Sequence, residues 1–68
     1  MKYVVIYERA GRGWSAYVPD LPGCIAAGDT RKAVEGLIRE AVTEYITVLR
    51  EKDEPVPKPQ TRTQLVEA

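Results

Sequence analysis

The stretch "VPDLPGCIAAGDT" (residues 18–30) holds Cys24, the chain's only cysteine, between two aspartates, Asp20 and Asp29. A thiol flanked by carboxylates is the raw material of nucleophilic or acid–base chemistry. A thiolate, however, needs a histidine, a cation or a helix N-terminus beside it. The chain has no histidine, and the expected helix starts several residues later. Cys24 therefore reads as a small buried hydrophobe on a strand. Asp20 precedes Leu-Pro-Gly, where an aspartate commonly bonds the backbone two residues on. Asp29 sits where a helix cap belongs, a place it shares with Thr30. No glycine-rich phosphate loop, metal-ligand spacing or nucleophile–base pair occurs anywhere. The expectation is a protein without catalytic residues, cofactor or metal.

Sixty-eight residues make one domain, 1–68, near the lower size limit for folding without a staple. A single cysteine forms no internal disulfide, and fits a reducing, cytoplasmic setting. A small core without staples gains stability from association, so a homo-oligomer, dimer or higher, is expected. Ten basic and ten acidic residues cancel, which argues against a nucleic-acid module and against specific DNA binding. No apolar run is long enough to span a membrane, and "MKYVVIYE" turns polar too soon for a signal peptide.

The elements that must position these residues follow from the patterning. "KYVVIYE" (2–8) and "WSAYV" (14–18) read as strands joined through the glycines of "RAGRG". Pro22-Gly23 suits the centre of a type II turn, after which "CIAAG" (24–28) makes a short third strand. From Thr30 the period lengthens: Val34, Leu37, Ile38, Ala41, Tyr45, Val48 and Leu49 form one helical stripe, widened by Val42 and Ile46. "PVPKP" (55–59) ends the helix in an extended connector, and "RTQLVE" (62–67) reads as a last strand. The result is an α+β two-layer sandwich, β-β-β-α-β, with sheet order 3-2-1-4 and one long helix on one face.

Alternation then separates the two faces of the sheet. Val4, Ile6, Ala16, Val18, Cys24 and Ala26 are expected under the helix. Tyr3, Val5, Tyr7, Tyr17 and Ile25 are left on the open side, too apolar and aromatic for water alone, which points to a protein interface. On the helix, Arg31 and Lys32 stand in the first turn against the dipole, and Gly36 sits outward in mid-helix.

Together, "KYVVIYE", the glycine turn, "WSAYVPDLPGCIAAGDT", the long helix and "EPVPKP" resemble the HicB family of antitoxins over residues 2–59. PDLPGC followed by GDT at the helix start is the most specific part. The resemblance implies a partial RNase H-like fold and a non-enzymatic antitoxin. Its implied partner is a small HicA-like RNase toxin that cleaves mRNA. A stand-alone dimeric adaptor of the same fold is the alternative. Many members add a C-terminal DNA-binding segment. The sequence stops at Ala68 without one, so operator recognition is not expected of it. Family members usually carry carboxylates in the first helical turn, where this chain has Arg31, Lys32 and Ala33. RNase H chemistry is not implied: it needs a carboxylate cluster for two metal ions. Residues 2–7 hold no acid, and Glu8 stands without evident partners.

Overall fold

A computed structural model describes residues 1–68. Three strands, β1 (Ile6–Ala10), β2 (Gly13–Tyr17) and β3 (Ile25–Gly28), precede one helix, α1 (Arg31–Glu51). The sheet is antiparallel in the order β1-β2-β3, with α1 across one face. The α+β class and the single long helix agree with the sequence reading.

The turns follow their residue chemistry. Gly11 and Arg12 connect β1 to β2 as a two-residue loop, with Ala10 opposite Gly13. Gly11 takes φ +60° and Arg12 does not go positive, the pattern of a type II′ hairpin turn. Between β2 and β3, the Cys24 amide donates to the Leu21 carbonyl at 3.0 Å across Pro22-Gly23. Gly23 takes φ +84°, as a type II turn requires of its third residue.

Thr30, rather than Asp29, caps α1: its Oγ1 accepts from the Ala33 amide at 3.1 Å. At the other end Asp53, at φ 55°, reverses the chain. The Glu54 amide reaches the Leu49 carbonyl at 2.9 Å and the Asp53 amide reaches Arg50 at 3.1 Å. That is a Schellman motif with an aspartate in the left-handed position, closed by Pro55.

The core is small. Ala16, Val18, Leu21, Cys24, Val34 and Ile38 are the only buried residues of the 68. Tyr3, Val5, Tyr7, Trp14, Ala26, Ala41, Val42 and Tyr45 pack around them, partly buried.

Two expectations need correction. The first concerns strand one. Pairing sets Tyr7 opposite Ala16 and Ile6 opposite Tyr17, and directly paired residues share a face. Tyr3, Val5 and Tyr7 therefore lie on the helix side, while Val4 and Ile6 alternate to the open side. The expected five-residue face is split: only Tyr17 and Ile25 of it remain together, paired across β2 and β3. The second concerns the fourth strand. Residues 62–67 form none, so the sheet has no strand beyond β1 and the order 3-2-1-4 is not formed. Pro55, Pro57 and Pro59 remove alternate backbone donors. Asp20 then captures the amides of Gln60 and Thr61, each at 3.0 Å, and draws the chain toward the β2–β3 loop. Leu65 and Val66 are left in water.

Gly36 has an immediate test. A methyl group added there meets nothing within 4 Å, so only helix propensity changes. Gly36→Ala is expected to raise the unfolding free energy by about 0.8–1.0 kcal/mol, read as a higher urea midpoint at unchanged slope.

Candidate protein-interaction surface

The two candidate groups of the opening loop, Cys24 and Asp20, are each engaged within the fold. Cys24 is 3% exposed, and burial pushes its thiol above the ordinary 9.0, away from the thiolate that a nucleophile needs. Asp20 uses both oxygens on the chain's C-terminal stretch. Oδ2 accepts from the Gln60 and Thr61 amides and Oδ1 from the Thr61 hydroxyl at 2.9 Å. The backbone donation from Thr61, with smaller help from Gln60 and the Thr61 hydroxyl, holds its carboxyl below the ordinary 3.8. The expected local aspartate turn is thus replaced by a clamp across 41 residues of chain. Asp29 is exposed beside the cap. No three histidine, cysteine or acidic side chains are grouped closely enough to hold a metal ion.

Arg31, which stood against the helix dipole, has a packing reason. Its guanidinium lies 4.8 Å from the centroid of the Tyr7 ring and 6.0 Å from that of Trp14. Its Nε is 3.5 Å from Glu35 Oε1. The cation–π contacts tie the first turn of α1 to β1 and β2 and offset the dipole cost. Arg9 stacks on Trp14 at 5.1 Å. Lys32 is exposed, and nothing in the structure explains its place.

What remains to be covered lies on the sheet's other face and at one edge. Tyr17 is 38% exposed and Ile25 70% exposed, side by side on the face away from α1. With them on that face are Ile6, half-buried, and the exposed Ala27. Around the free side of β3, an open groove runs between the strand and α1. It is lined by Cys24, Ile25, Ala41, Tyr45, Val48 and Leu49, with exposed Glu44. Tyr3, Val5 and Tyr7 line a different groove on the helix side of β1, with Ile38 and Val42.

Two positions escaped the sequence reading. Leu21, fully buried, sits in a Pro- and Gly-rich loop where no periodicity marks it. Thr61 lies beyond the prolines, where nothing local signals a partner at Asp20.

Comparison with known proteins places this arrangement. The HicB_like antitoxins of bacterial toxin–antitoxin systems match residues 3–68. A 14.9 kDa protein from the rep–hol intergenic region of Haemophilus phage HP1 is 38% identical over 58 residues, 85% of this chain and 44% of the phage protein. A UPF0150 protein of Thermoplasma acidophilum is 39% identical over 59 residues, 85% of this chain and 86% of its own length. Antitoxin HicB 2 of Photorhabdus laumondii is 29% identical over 62 residues, 91% of this chain. The chain thus spans less than half the length of the phage protein and of the Photorhabdus antitoxin, 44% and 45% respectively. No solved structure matches it. No helix is long and apolar enough to cross a membrane. With a match that runs from the first strand to the last residue, the chain belongs to the HicB-like antitoxin family.

Proposed function

We propose that residues 1–68 act as one HicB-like unit that neutralises a small HicA-like RNase toxin by covering it. This unit works as a homo-oligomer in the cytoplasm, and its residues 1–68 supply neither catalysis nor a cofactor site. The family match over residues 3–68 carries this reading. The role follows the name of the Photorhabdus relative, an antitoxin. The mechanism is steric: a folded surface occupies the toxin's catalytic and RNA-binding face, so no group on this chain needs to react. Burial of Cys24 and engagement of both Asp20 oxygens support that division of labour. Tyr17 and Ile25, exposed together on the open sheet face, are the contact residues. Tyr3, Val5 and Tyr7 support the surface from beneath by packing against the core that carries α1.

The test uses any small basic protein found to be encoded beside this chain's gene. Its expression should arrest growth, and co-expression of this chain should restore it. Purified chain should block RNA cleavage at stoichiometric amounts. Tyr17→Glu places a charge in the contact, so inhibition should weaken by about tenfold or more while circular dichroism is unchanged. A chain that neither binds nor inhibits that neighbour leaves the adaptor as the better reading.

A further inference from the structure

We propose that the free edge of β3 pairs with the β3 edge of a second copy, joining two three-stranded sheets into one six-stranded sheet. This deepens the homo-oligomeric part of the reading above and does not depend on the toxin.

The sheet has two edges, and they differ. β1 carries Glu8 and Arg9, charges of the kind that keep an edge strand from pairing with another chain. β3 reads Ile-Ala-Ala-Gly, without charge or proline. Its outer side presents unpaired backbone groups, since β2 is its only neighbour. Large apolar side chains line both sides of that edge. Ile25 and Tyr17 lie on the open face, at 70% and 38% exposure. Leu37 and Val48 lie on the helix side, at 44% and 40%. Leu37 stands near Gly28 at one end of β3, and Val48 near Cys24 and Ile25 at the other. α1 therefore runs antiparallel to β3, with these two residues beside the edge.

A second copy fits this surface better than an unrelated strand. An antiparallel pair of identical strands is its own two-fold partner, so one patch serves both chains. Paired residues must share a face. Setting Ala26 opposite Ala26 of the second copy satisfies this and puts Ile25 opposite its Ala27. The small side chains of one strand then leave room for the isoleucine of the other. A two-fold axis normal to the sheet keeps both helices on one side, where Leu37 and Val48 of each copy flank the junction. A specific interface needs about 1,000 Å² buried in total, which these side chains and the edge backbone of each copy must supply. The need for it is visible in a core of six buried residues, less than a stand-alone domain usually has.

Sedimentation of the full chain tests this without any toxin. The parent chain should run at twice 7.6 kDa. Ile25→Lys and, separately, Ala27→Lys put an ammonium on the edge and should raise the dimer dissociation constant by about 30-fold or more. Circular dichroism should match the parent, since both residues are exposed. Glu8→Lys on the other edge should leave the dimer intact. In the parent, hydrogen exchange at the β3 amides should slow as concentration rises. A parent chain that is monomeric at roughly 100 µM, weaker than any functional dimer, overturns the proposal. So does a dimer indifferent to both lysines. A monomer whose β3 edge is protected only by bound toxin assigns the edge to the toxin instead. A parent chain that dimerises but neither binds nor inhibits the toxin rejects the antitoxin reading and leaves this one standing.

Discussion

Replacing Leu21 with alanine is expected to lower the unfolding free energy by about 3 kcal/mol, more than any surface change in this protein. Leu21 is completely buried among Ala16, Val18, Cys24, Val34 and Ile38, so it joins β2, the β2–β3 loop and α1 in one cluster. Its surroundings cannot easily collapse into the space it leaves. Three backbone hydrogen bonds fix the loop that delivers it: Leu21 amide to Val18 carbonyl, Cys24 amide to Leu21 carbonyl, and Val18 amide to Cys24 carbonyl. For a chain of this length, total stability is of the order of 3–10 kcal/mol. The loss is therefore a large share of the whole. Urea unfolding should show the midpoint falling by about 2 M or more, or a variant already partly unfolded in buffer. A drop of less than about 1 kcal/mol would mean that the loop repacks freely and Leu21 does not tie the layers together. Association through β3 would add a concentration dependence to the midpoint, so parent and variant must be compared at one concentration.

Leu21 also shows where sequence reading reaches and where it stops. The elements were legible because each has a local cause. Gly11 and Gly23 mark the turns, Thr30 marks the cap, and Val34 and Ile38 recur with helical spacing. Leu21 has no such neighbour pattern, because a loop residue is buried by tertiary geometry and not by periodicity. Strand one failed differently. Tyr3, Val5 and Tyr7 alternate with Val4 and Ile6, so both faces are apolar and hydropathy cannot choose between them. A one-residue slip then exchanges the faces completely. The deciding signal was present in the hairpin. A two-residue turn at Gly11-Arg12 pairs Ala10 with Gly13, which counts back to Tyr7 with Ala16. Ala16 belongs under the helix, so Tyr7 does too. Only the placement of Tyr17 and Ile25 on the open face followed from the alternation of β2 and β3, while the strand-one residues followed the slipped phase. The fourth strand failed because "RTQLVE" has strand propensity with no partner in reach once Asp20 holds Gln60 and Thr61.

That clamp gives the second large effect. Asp20→Ala is expected to release the C-terminal stretch from the body of the protein. The carboxylate takes three hydrogen bonds from two adjacent residues. The other tie is the Tyr3 hydroxyl donating to the Pro57 carbonyl, too far back along the chain to hold Gln60 and Thr61. Without Asp20, the amides of Gln60 and Thr61 should lose their protection and exchange at rates close to those of the free segment beyond them. Amides of β2 and of the middle of α1 should keep theirs, since none of the six core residues belongs to this stretch. Thr61→Val removes one of the three bonds and should produce a partial release. The same event should follow acidification. The Asp20 carboxyl titrates below its ordinary 3.8 because the charged form is the one that the Thr61 and Gln60 donors favour. Its contribution is therefore fully present above about pH 3.8. It is lost as the pH falls through the lowered folded value. Above pH 5 the tail should stay docked at every pH tested. An Asp20→Ala tail as protected as the parent's would show that the prolines alone hold the stretch in place, and release of Gln60 and Thr61 in the parent at neutral pH would show that the clamp does not hold.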